Sequence, residues 1–152
     1  MARIENDKGH YFELKPVAYQ FESGDDIYDL NWLEIQIAAD NGKYQWTTTD
    51  PALMTTEVSG LIEWLRSLAA NDPQMTLSWY AMEPCLECKG NFEKGVTELY
   101  ISLGYDFLPP TLYQSRDYDQ RERINFEGDG AQLLSFALQL ENELRAFPVR
   151  QL

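Results

Sequence analysis

From Leu99 to Phe107 the chain alternates without a break. Leu99, Ile101, Leu103, Tyr105 and Phe107 share one parity, and Tyr100, Ser102, Gly104 and Asp106 the other. A period of two sends successive side chains to opposite faces of a pleated strand, so this segment buries its apolar set only as one face of a sheet. The pattern recurs. Trp32 to Ala39 sets Leu33, Ile35, Ile37 and Ala39 against Glu34, Gln36 and Ala38. Met75 to Met82 alternates Met75, Leu77, Trp79 and Ala81 with Thr76, Ser78, Tyr80 and Met82. Cys85 to Phe92 puts Leu86, Cys88, Gly90 and Phe92 on one face. Tyr11 to Phe21 opens with Phe12 and Leu14 on one side, and Pro16, which has no ladder donor, predicts an edge or bulged strand. Arg121 to Phe126 reads as a short strand burying Ile124 and Phe126.

The connections are short. Asp40-Asn41-Gly42 predicts a hairpin, after which Lys43 to Thr48 returns with Tyr44, Trp46 and Thr48 on one face. Asp50-Pro51 reads as a turn and Thr55 or Thr56 as a helix N-cap. Val58, Leu61, Ile62, Leu65, Leu68 and Ala69 then form the apolar stripe of an amphipathic helix, which Asn71-Asp72-Pro73 ends. A second helix runs from about Ala131 to Phe147, with Leu133, Leu134, Ala137, Leu140, Leu144 and Phe147 as its apolar face. Short connections favour antiparallel neighbours. The expectation is an α+β fold: an antiparallel sheet of about six or seven strands with two helices packed on it. At 152 residues, a single domain covers residues 1–152, with a core over about 10–150 and an unordered start before His10.

The chain carries 25 acidic residues against 12 basic ones, a net charge of −13. That balance excludes a phosphate-backbone binder, which needs a surplus of Lys and Arg, and a protein that docks on anionic lipid. With 44% hydrophobic residues the chain is not of the disordered class either. No apolar run approaches a membrane span, and Met1 to Asp7 lacks the apolar region of a signal peptide. A cytoplasmic protein is expected.

Few residues suggest chemistry. Cys85 and Cys88 form a C-x-x-C pair, yet His10 is the one histidine and no second cysteine pair completes a zinc set. A redox pair belongs at a strand-to-helix junction, where a helix N-terminus lowers the thiol pKa. Here the pair falls in a strand pattern whose alternation puts Cys85 and Cys88 on opposite faces, so both read as structural. A small metal-binding or redox protein using this pair stays an alternative, as does an adaptor domain of a larger assembly. Nothing positions His10 beside a nucleophile. The nucleotide-binding, zinc-protease and serine-hydrolase motifs are absent. No catalytic set, metal or cofactor is expected.

The acidity gathers in places. Glu22, Asp25, Asp26 and Asp29 surround Gly24 and Tyr28, without the spacing of a calcium-binding loop. A second polar loop carries Tyr113, Asp117, Tyr118 and Asp119. Tyrosine anchors inside an acidic rim suit a basic protein partner.

The order of motifs resembles the WapI-like family of bacterial immunity proteins. The resemblance rests on Asn31-Trp32-Leu33 opening a strand and on Trp46-Thr47-Thr48-Thr49-Asp50-Pro51-Ala52-Leu53 before a helix with Glu57, Leu61 and Trp64-Leu65. It continues through Glu83-Pro84, the Leu99–Phe107 strand before Pro109-Pro110, and Glu143-Leu144-Arg145-Ala146-Phe147-Pro148, covering about residues 10–150. The chain departs from the family's pattern at Cys85, which follows Glu83-Pro84 where the family tends to carry Asn, so no shared cysteine chemistry is implied. The resemblance implies a non-enzymatic cytoplasmic antidote that binds a cognate toxin domain, often a basic nuclease. No catalytic residue carries over.

Overall fold

A computed structural model describes residues 2–115 and 120–152, the side chains of 113–115 excepted. The described strands are β1 Ala2–Glu5, β2 Tyr11–Tyr19, β3 Trp32–Asp40, β4 Gln45–Met54, β5 Ser78–Tyr80, β6 Leu86–Glu93, β7 Val96–Gly104 and β8 Arg121–Gly128. The helices are α1 Ile27–Asn31, α2 Thr55–Ala69 and α3 Ala131–Leu144. The fold is α+β and every strand pair is antiparallel. The strands divide into two sheets of four, in the orders β1-β2-β3-β4 and β5-β6-β7-β8, rather than one sheet of six or seven. The chain past β7 meets β4 through side chains and not through a ladder. Trp46 Nε1 donates to the Phe107 carbonyl at 2.9 Å and Thr48 Oγ1 to that of Asp106 at 3.3 Å, both in a 3-10 turn, Tyr105–Phe107, where the alternation predicted continued strand.

Both sheets and the two long helices share one core. Phe12, Leu14, Ile35 and Ile37 come from the first sheet, and Leu86, Leu99, Ile101 and Leu103 from the second. Helix α2 contributes Val58, Leu61, Leu65 and Leu68, and α3 contributes Leu133, Phe136, Ala137 and Leu140. Each large side chain buried this way stabilises the fold by about 1.5–3 kcal/mol. Phe12 meets Phe136 edge to face, with centroids 6.2 Å apart. Gly130, at φ +93°, turns the chain from β8 into α3 against α2; a Cβ there would lie 2.7 Å from the Ala69 carbonyl oxygen.

Several expectations are corrected. The start is ordered: β1 pairs with β2, and Ala2 and Ile4 are buried. Asp50-Pro51 is not a turn but part of β4, accommodated by a bulge where Leu33 faces Leu53 and Glu34 faces Pro51. Thr55 does not cap α2. Met54 precedes the helix, its N–H donates to Glu57 Oε1 at 3.1 Å, and Thr55 Oγ1 donates to the Phe147 carbonyl instead. The strand expected over Met75–Met82 shrinks to Ser78–Tyr80, because its flanks are tied to α2: Trp64 Nε1 donates to the Thr76 carbonyl and Met82 N–H to Glu57 Oε2. In α3 the buried phase is Leu133, Phe136, Ala137 and Leu140, which turns Leu134 outward at 52% exposure. Pro16 behaves as expected of a bulge: the register shifts between Pro16 and Ala18, beyond the reach of β1.

The tips of the first sheet abut β8. Asn6, in the β1–β2 turn, donates its Nδ2 to the Asn125 carbonyl at 2.9 Å, and Asn41, in the β3–β4 turn, donates its Nδ2 to Glu122 Oε1 at 2.9 Å. On the outer side of β1, the Arg3 N–H donates to Gln139 Oε1 of α3 at 2.9 Å.

Candidate functional site

The acidic loop leaves β2 and returns through α1 into β3. The exposed Asp26 is the N-cap of α1, its Oδ1 accepting from the Asp29 N–H at 2.9 Å, which is what a short acid does at a helix start. Gly24 packs where a Cβ would lie 2.7 Å from the Asp29 Cβ, so the loop doubles back on itself there. The carboxylates of Glu22 and Asp25 are exposed. Phe21, Ile27 and Tyr28 are exposed at 40%, 41% and 54%, enough apolar surface for contact.

Both ends of this loop are tied by one residue that no local pattern singles out. Arg150 donates from Nε to the Leu30 carbonyl (2.7 Å), from Nη1 to that of Glu22 (2.9 Å) and from Nη2 to that of Phe21 (2.8 Å). Its guanidinium carbon lies 3.8 Å from the centroid of the Tyr19 ring. Asn31, buried at the end of α1, bonds both ways with the Arg150 main chain: Oδ1 accepts from its N–H at 2.8 Å and Nδ2 donates to its carbonyl at 3.1 Å. The tail itself is held by Tyr19, whose hydroxyl donates to the Pro148 carbonyl and whose ring meets Phe147 edge to face at 5.4 Å. Burial raises the Tyr19 pKa, with Arg150 acting against that rise, so the phenol stays a donor. The same staple carries Val149, 43% exposed, to this end of the molecule. No local pattern announces Arg150; it follows Pro148, where a sequence reading sees only a helix stop.

The second expected loop contributes nothing that can be described: the side chain of Tyr113 and residues Asp117, Tyr118 and Asp119 lie outside the described residues. A second concentration of acid appears elsewhere. Asp50 on β4 sits half-buried, near Asp106, Glu83 and Glu34; burial first, then these three carboxylates in that order, push its pKa up to about 6. These residues come from four separate segments, so sequence spacing could not have grouped them.

The cysteines are placed differently from the alternation's prediction. Cys85 precedes β6, outside its pleat, and both thiols are buried in the shared core. Burial pushes each up to about 12, Cys85 with a further contribution from Asp50 and Cys88 from Glu87. Among the described residues no three of His, Cys, Asp and Glu are grouped to hold a metal ion. His10 packs beneath the β3–β4 turn, where a Cβ on Gly42 would lie 2.5 Å from its Nε2. Among the described residues no helix is long and apolar enough to cross a membrane.

The site therefore gathers exposed apolar groups, a rim of carboxylates and an ordered main chain, the parts of a protein-contact surface. The model of the Immunity protein WapI-like family matches residues 3–148. The chain belongs to that family of immunity proteins. It matches no curated protein and no solved structure.

Proposed function

We propose that this protein is a non-enzymatic cytoplasmic antidote that binds a cognate toxin domain and blocks it through the loop from Glu22 to Asp29. The partner is basic, as a nuclease that must bind a polyanion is. Membership of the family supports the immunity role. The observation that carries the choice of surface is the Arg150 staple, which presents Glu22, Asp25, Ile27 and Tyr28 on a loop fixed through its main chain. Opposite charge on the partner accelerates encounter, while the apolar centre holds the complex. The carboxylates of Tyr113's loop, Asp117 and Asp119, with Tyr118, stand as a second contact in this reading.

The test is binding to the toxin domain encoded beside the chain, measured over a range of salt. Glu22→Lys with Asp25→Lys is expected to lower the association rate about tenfold at low salt and to flatten its salt dependence. An unchanged association rate and salt slope would remove the acidic loop from the interface.

A further inference from the structure

Arg150 uses all three guanidinium nitrogens on main-chain carbonyls, two at the start of the loop and one at its end. A planar fork fixes direction as well as distance, which an ammonium does not. Between those anchors Arg150 touches no side chain of residues 22–29 in the bonds it makes; its other contacts are the Tyr19 ring and the buried Asn31. One cation thus ties both ends of the loop, beside the Asp26 cap and the bond from Asn31 Nδ2 to the Ile27 carbonyl, and loop chemistry is left to the exposed side chains. Ordering a flexible segment on binding costs affinity, and a loop ordered beforehand avoids that cost.

We infer that Arg150 is the positioning residue of the partner-binding loop, and that the partner it serves is a basic protein surface with an apolar projection that meets Phe21, Ile27, Tyr28 and the tail's Val149. The inference rests on the proposed function. Glu22, Asp25, Asp26 and Asp29 supply the charge complementarity, and Val149 lies between Pro148, held by Tyr19, and Arg150, bonded to the loop. The four residues after Pro148 fall outside the stretch the family model matches.

The two kinds of residue have different kinetic signatures. Arg150→Ala keeps the loop's negative charge, so association with the neighbouring toxin domain, used as an inactivated variant, is expected to stay within about twofold. Dissociation is expected to rise about tenfold or more, because the bound loop is no longer ordered beforehand. Arg150→Lys, which keeps the charge and loses the fork, should fall between wild type and Arg150→Ala and serves if the alanine variant is poorly folded. Amide hydrogen exchange in residues 21–30 of the free protein should speed up in both variants. Val149→Asp should raise dissociation with loop exchange unchanged. Dissociation unaltered in Arg150→Ala and Arg150→Lys, alongside a slowed association in Glu22→Lys/Asp25→Lys, overturns the role of Arg150 and leaves the acidic surface standing. If the charge-reversal pair changes nothing, the proposed surface itself is wrong.

Discussion

Asn6 and Asn41 make the same pattern of bonds from two different hairpin tips. Each side-chain oxygen accepts two main-chain N–H groups of its own turn, Lys8 and His10 for Asn6, Lys43 and Tyr44 for Asn41. Each amide then reaches across to β8, so one residue type closes the turn and joins the sheets. The acceptors differ: the Asn125 carbonyl belongs to an exposed residue, whereas Glu122 is only 8% exposed. Asn6→Ala should cost about 1 kcal/mol, since water replaces the lost donor. Asn41→Ala should cost about 2–3 kcal/mol, because a buried carboxylate loses the one hydrogen bond described for it. Urea unfolding of the two variants checks the order; equal losses would contradict it.

Gly130→Ala should be among the most damaging small changes. The left-handed backbone alone costs a non-glycine residue about 1–2 kcal/mol. Beyond that, the added Cβ would press on the Ala69 carbonyl oxygen, which is backbone and cannot rotate away. Thermal unfolding should show a lower Tm with α3 still helical by circular dichroism. A neutral result would mean that the β8–α3 turn relaxes freely.

Asp50 makes stability depend on pH in the direction opposite to a salt-bridged acid. Its folded pKa of about 6 lies above the ordinary 3.8, so the folded state binds the proton more tightly than the unfolded chain does. That contribution is fully present below about pH 4 and is lost as pH rises through 6. Asp50→Asn removes the ionisation and should raise Tm at pH 8, with little gain at pH 4. A gain of the same size at both values would show that Asp50 is not the titrating group.

The thiols should be inert in the folded protein. With both pushed up to about 12, neither forms thiolate at pH 8. A thiol-disulfide exchange reagent should label neither cysteine natively and both after unfolding. Rapid native labelling, or stoichiometric zinc lost on Cys85→Ser, would favour the metal or redox alternative.

The strands were legible wherever one face meets the core, because burial imposes a period of two; β3 is the clear case, and β7 another as far as Gly104, beyond which the alternating Tyr105–Phe107 form a 3-10 turn and not strand. The alternation said nothing about where one sheet stops and another begins. Nor did it mark Trp46 and Thr48 as bonding to a turn some sixty positions away, a long-range contact with no local sign. Asp50-Pro51 looked like a turn because both residues favour one, and a bulge in the β3–β4 register absorbed them instead. Phe136 and Leu134 show the same limit in α3: both are apolar, and only packing against Phe12 decides which is buried. The acidic loop was visible in composition. Arg150 was not, since a lone cation after a helix stop acquires meaning only when the chain returns to Phe21 and Leu30.

The bonds from Asn6 to β8 and from β1 to Gln139 have a consequence for self-association. Each places a side chain on a hydrogen-bonding position of an outermost strand, where a second molecule would otherwise add its own strand. Of the four outermost strands, β1 and β8 each have one ladder position taken by an amide of the molecule's own, so neither of those edges offers a second copy a full row of free groups.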